Sequence, residues 1–138
     1  MPDLPNSRVP SESPKARCPE ALAGVLDWKA AVRRLDGDED FMHELCKLFL
    51  EEAHSMRSRL ESAVASEDLA VLLRAAHNLR GAGGTLAATR LTELAESIEN
   101  LAHEGRSDEA HALAPTMLVE FDRLVAALLL SREDRAAA

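Results

Sequence analysis

Residues 38–65 read DEDFMHELCKLFLEEAHSMRSRLESAVA. In this stretch Phe41, Leu45, Leu48, Phe49, Ala53, Met56, Leu60 and Val64 recur at spacings of three and four for about seven turns, the period of a long amphipathic helix. The residues on either side repeat the pattern. Upstream, PEALAGVLDWKAAVRRL (19–35) reads as a short helical region, with Asp27 as N-cap and Gly37 as stop. Downstream, a third helix is expected from near Ser66, with Ser66, Glu67 and Asp68 supplying a cap and an acidic first turn. Its stripe is Leu69, Leu72, Ala76, Leu79, Gly83 and Leu86. A fourth helix is expected from Thr89 to His103 through Leu91, Leu94, Ala95, Ile98 and Leu101, ended by Gly105. A fifth runs from Ser107 to about Leu130, with Leu113, Met117, Phe121, Leu124 and Leu128 on one face. Pro115 falls inside it and is expected to kink or divide it near Ala114.

Connections of only a few residues make the long helices antiparallel neighbours. The sequence therefore predicts an all-α fold: an antiparallel up-down four-helix bundle with a short additional N-terminal helix. Composition agrees. The chain is 46% hydrophobic but 3% aromatic, with no Tyr and one Trp, and a sandwich or barrel would use more β-branched and aromatic residues. Five of the six prolines fall in residues 1–19, which read as a disordered tail or linker. Residues 20–131 form the bundle, and 132–138 read as a flexible C-terminal tail.

Several function classes drop out at this level. A formal charge of −8 with no basic stripe argues against nucleic-acid binding. No segment approaches the roughly 18 apolar residues of a membrane span, and the first residues carry no apolar leader. Cys18 and Cys46 lack the spacing of a zinc or redox pair, which favours a reduced, cytoplasmic protein.

The third helix departs from its own pattern. AAHNLRGAGGTLAA (75–88) places three glycines in four positions, each costing about 0.8–1 kcal/mol relative to Ala in a helix interior. At about 100° per residue, His77 points roughly 130° from the centre of the apolar stripe. Arg80, Gly81 and Gly84 follow on the same side. The resulting surface is an exposed imidazole beside a cation and a strip of bare backbone, open to close approach by another protein. A neutral imidazole nitrogen is nucleophilic near pH 7 and can form a phosphoramidate, and Arg80 offers planar donors to phosphoryl oxygens. No phosphate-binding loop, dinucleotide fingerprint or kinase motif accompanies it. The chain therefore reads as a phosphoryl carrier without an ATP site or independent catalytic activity.

AAHNLRGAGGTLAATRL (75–91) resembles the His-x-x-Lys-Gly signature of the histidine-containing phosphotransfer (HPt) domains of two-component phosphorelays. The resemblance extends over about residues 25–130, through DWKAAVRRLDGDEDF (27–41), FLEEA (49–53), SEDLAVLLRAAH (66–77) and LAESIENLAHEG (94–105). It implies that His77 accepts a phosphoryl group from a receiver aspartate and passes it to another, with Arg80 in place of the usual Lys. It also implies docking over Ala70, Leu73, Arg74, Arg80, Gly81 and Gly84, and a position for Glu99 beside the histidine, where it would orient the ring. Ala87 stands where many members have Gly, which should alter the local turn. The implied partners are response-regulator receiver domains and a hybrid histidine kinase. The protein would be a monomer with no cofactor of its own, magnesium being supplied by the receiver.

Two other readings compete. One is an HPt-like bundle that docks receivers without carrying phosphate. The other is a metal-binding bundle using Glu51 and His54, whose spacing matches one half of a di-metal motif without its second half. His43 and Cys46, one turn apart, read as structural, and His103 and His111 as surface or capping residues near helix ends.

Overall fold

A computed structural model describes residues 18–137, and every regular element among them is helical. A short 3₁₀ turn, Glu20–Leu22, precedes α1 (Trp28–Arg34), α2 (Glu39–Ala65), α3 (Leu69–Thr85), α4 (Thr89–His103) and α5 (Ser107–Ala137). The N-terminal segment read as a tail lies outside the described residues up to position 17. Cys18 is already half-buried against the core, and Pro19 caps the 3₁₀ turn.

Aspartates start three of the helices. Asp27 Oδ1 accepts from Ala30 N at 3.1 Å, Asp38 Oδ1 from Phe41 N at 2.9 Å and Asp68 Oδ1 from Ala70 N at 2.9 Å. Each such cap contributes about 1 kcal/mol. The third helix consequently begins at Leu69 rather than near Ser66. Ser66 closes α2, and its Oγ accepts from Asp68 N at 2.9 Å, so the expected first turn is a three-residue link.

The four long helices enclose one core, in which Met42, Leu72, Ile98, Met117, Phe121 and Leu124 are fully buried. Trp28 is buried too and brings α1 down on one end, its ring 4.8 Å from that of His43. The stripe read from α2 is rotated with respect to the one that is buried. Met42, Cys46, Phe49, Ala53, Leu60 and Ala63 face inward, whereas Phe41 and Leu48 are 47% and 49% exposed. An apolar residue at helical spacing marks the flank of a core as readily as its centre, and α2 is apolar across more than one row.

Two expectations about α5 are corrected. Pro115 does not divide the helix, which is continuous over 31 residues. Proline removes a single backbone bond, and the turns on both sides are held by buried Ala110, Ala114, Met117 and Phe121. Nor is the C-terminus a tail from residue 132: the helix continues through residues 132–137. Ser131 is buried, and with Arg132 and Arg135 it lines a cleft of about 270 Å³ against His43 and Lys47 of α2.

The turn after α3 positions the site. Ala87 takes a left-handed backbone, φ 57°, which costs an L-residue about 1–2 kcal/mol and would suit Gly. It closes the helix through Ala87 N→Gly84 O at 3.0 Å and Ala88 N→Gly83 O at 2.9 Å, and its own carbonyl accepts from Asp27 N at 2.8 Å. α1 is thereby moored beside the end of α3.

Candidate functional site

α3 packs most extensively on α4, and its glycines explain how. A Cβ at Gly83 would come within 3.0 Å of Thr92 Oγ1, so this glycine permits close packing of the two helices. A Cβ at Gly81 or Gly84 would meet nothing within 4 Å. Those two glycines lie on the outer side, as the helical geometry predicts, and packing does not require them.

His77 stands on that outer side with its side chain 63% exposed. From α4, Glu99 reaches up between the helices, its side chain only 7% exposed. Ile98 and Ala102 hold the inward row of α4, and Glu99, one position from Ile98, falls at the α3 seam. A carboxylate buried there is costly unless both oxygens are satisfied. They are: Oε2 meets His77 Nδ1 at 2.9 Å, and Oε1 accepts from Arg80 Nε. An ionised carboxylate only accepts, so the neutral ring carries its proton on Nδ1 and keeps the lone pair on Nε2. In a neutral ring this contact favours the Nδ1–H tautomer and leaves Nε2 without a proton on the exposed side.

Arg80 has a partner within the molecule that the sequence alone does not show. Its Nε is engaged with Glu99, which balances much of its charge. Its terminal nitrogens make no hydrogen bond among the described residues and remain available to an incoming anion. Ala70 and Arg74 are exposed and Leu73 half-buried, close to the His77 row of α3.

Beside this row the seam between α2 and α3 is open. The groove there has a volume of about 730 Å³ and is lined mainly by apolar groups, including Leu45, Leu48, Met56 and Val71, with Arg74 and Asn78 on its α3 side. Arg74 is the one residue of the expected docking set that lines it. The exposed Leu48 and half-buried Leu45, assigned to the core from their spacing, are groove residues. Arg34, at the end of α1, was not singled out from the sequence: its Nη2 donates to Gly84 O at 2.9 Å across 50 residues, and no local spacing carries that contact.

The remaining candidates stay apart from this site. Glu51 and His54 are both exposed on α2, and no group of three or more potential ligands gathers among the described residues. Cys46 is buried, its thiol pushed up to about 11 by desolvation. Cys18 is also a free thiol. His103 is exposed at the end of α4, and His111 Nδ1 donates to Ser107 O at 2.9 Å, a local contact inside α5. No helix among the described residues is long and apolar enough to cross a membrane.

Comparison with known proteins places this geometry. The signal transduction histidine-protein kinase BarA of Shigella flexneri is 27% identical over 100 residues, which are 72% of this chain and 11% of that kinase. The protein of the same name from Escherichia coli (strain K12) is 26% identical over the same shares. The chain therefore spans about a ninth of the length of these curated relatives. Its fold is similar to that in the crystal structure of histidine-containing phosphotransfer protein B (HptB) from Pseudomonas aeruginosa PAO1. The TM-score is 0.65 at 23% identity, covering 84% of this chain and 98% of that one. The family model of the Hpt domain matches residues 44–130, from the first turns of α2 almost to the end of α5 and across the whole His77 face. An exposed imidazole held by a buried carboxylate, on a helical bundle matched over this span, identifies the chain as a member of the Hpt domain family.

Proposed function

We propose that this protein is a phosphoryl carrier that relays a phosphoryl group between receiver-domain aspartates through His77, with no ATP site or catalytic activity of its own. The observation that carries this reading is the Glu99–His77 contact, which holds the proton on Nδ1 and leaves Nε2 free on an exposed ring. In the forward step the Nε2 lone pair attacks phosphorus of an aspartyl phosphate. The P–Nε2 bond forms, the P–O bond to the aspartate breaks, and the carboxylate leaves with the bonding electrons. No proton has to depart. The ring keeps its Nδ1–H, and the positive charge it acquires lies 2.9 Å from the Glu99 carboxylate. The same contact favours the phosphorylated form electrostatically without making it inert, so that a second aspartate can take the group in the reverse step.

The terminal nitrogens of Arg80 would meet the phosphoryl oxygens. Gly81 and Gly84 let the partner backbone approach, and the receiver would supply the magnesium. Docking extends over Ala70, Leu73 and Arg74 and into the α2–α3 groove, whose apolar wall is continuous with the His77 face through Arg74 and Asn78. A hybrid histidine kinase would feed the relay through its receiver, in the cytoplasm, with this protein acting as a monomer. The test is incubation with a receiver phosphorylated from radiolabelled phosphate. Acid-labile, base-stable label is expected on the wild type and none on His77→Gln. Equal labelling of both would overturn the assignment.

A further inference from the structure

The charges on the His77 face do not sum as the sequence suggests. Arg80 is paired with the buried Glu99, and the pair is close to neutral toward an approaching partner. Arg34 is different. It is exposed and makes no ion pair among the described residues, in a chain whose formal charge is −8. It is also held in place, because its Nη2 donates to Gly84 O at 2.9 Å. Gly84 lies seven residues after His77, on the same helical row and about 10 Å along the axis. No side chain intervenes at Gly84, and the space a Cβ would take is open. The guanidinium is tied to a backbone carbonyl at the end of the phospho-acceptor row, at a helix C-terminus where a cation is favoured. One hydrogen bond occupies one of its five N–H donors, and the others are free to meet a partner.

We infer that Arg34 is a specificity-determining docking residue: it contacts acidic side chains on the partner that presents an acyl phosphate to His77. The inference rests on the proposed role of His77. The recognised chemistry is a carboxylate-rich protein surface, such as surrounds a metal-dependent aspartyl phosphate. Arg34 sits too far along the row to touch the reacting phosphorus. Its contribution is to encounter and register, so it should appear in half-saturation and salt dependence rather than in the maximal rate. A purely structural tie to Gly84 O makes the opposite forecast, since loosening the end of α3 would disturb phosphorylation by every donor.

The experiment uses the full chain and the phosphorylated receiver domain that labels wild type fastest, with phosphoramidate as a small donor that needs no docking. Arg34→Ala should raise the half-saturating receiver concentration about threefold to fivefold, the range an exposed ion pair supplies. Arg34→Glu should raise it about tenfold or more, and Arg34→Lys should recover most of the loss. Maximal rates should stay within about twofold, the differences should shrink as salt is raised, and phosphoramidate labelling should be unchanged. Unaltered half-saturation in Arg34→Glu would overturn the inference. So would an equal slowing with both donors, which would assign Arg34 to the fold. Failure of wild type to accept phosphate from any receiver while phosphoramidate still labels it would instead overturn the relay reading, and the docking role with it.

Discussion

The two sides of α3 follow opposite rules within one helix. Its inner row, Leu72, Ala76, Leu79 and Gly83, is fully buried, and every residue there is explained by what it touches. Its outer row, His77, Arg80, Gly81 and Gly84, contributes little to the core, and two of its glycines face open space. Gly83 is small because Thr92 is close. Gly81 and Gly84 are small although nothing within the molecule requires it. A residue that weakens a helix without serving its packing points to a surface reserved for another molecule.

That contrast can be broken by substitution. The largest effect is expected from His77→Gln, which should abolish phosphoryl acceptance while changing stability by no more than about 1 kcal/mol. Glu99→Gln comes next. An amide replaces one acceptor oxygen with a donor, so the Nδ1–H tautomer and the Arg80 tie cannot both be retained. Transfer should slow roughly 10-fold to 100-fold, as for other residues that orient a reacting group. Gly83→Val should destabilise the bundle by about 1–3 kcal/mol in urea unfolding, because its Cβ already meets Thr92 Oγ1 at 3.0 Å. Gly81→Ala should do the reverse, stabilising the helix by about 1 kcal/mol while slowing transfer from receivers and sparing phosphoramidate labelling. Equal effects of these two substitutions on stability would remove the distinction between the faces.

Two histidines give the smallest test. His77 is exposed and held by a carboxylate. His43 is half-buried against Trp28, and its pKa is lowered by burial and by Arg135, against an opposing pull from Asp40. Glu44, Lys47 and Arg132 also line its cleft. With His43 depressed in the folded state, the unfolded chain binds its proton first. Stability should therefore fall as pH drops below about 6.5 toward the folded value. His43→Phe should remove that part of the slope, and an NMR titration of Arg135→Ala should show His43 titrating higher than in wild type.

How much of this the sequence carried depends on whether a contact is local. The helices and the Asp27 cap follow from spacings of three and four and from residues one turn apart. The cap at Asp38 was not read, and α3 is capped by Asp68 rather than starting near Ser66. The outward direction of His77, Gly81 and Gly84 is equally local. The rotation of α2 was not legible, because Phe41 and Leu48 are as apolar as the residues that are buried. The continuation of α5 was hidden for a related reason: SREDRAA (131–137) has no apolar period, and its placement depends on the buried Ser131 and the nearby α2. The position of Glu99 beside the histidine came from family resemblance, whereas its pairing of both His77 and Arg80 required the α3–α4 seam. Arg34 is 50 residues from its acceptor and left no trace in any spacing.

The most direct measurement is of the nitrogen that carries the phosphoryl group. Long-range ¹H–¹⁵N correlation spectra of the phosphorylated protein distinguish the two ring positions of phosphohistidine. With Nδ1 tied to Glu99, the expected spectrum places phosphorus on Nε2 of His77, with Nδ1 still protonated. Phosphorus on Nδ1, or on a histidine other than His77, would contradict the assignment.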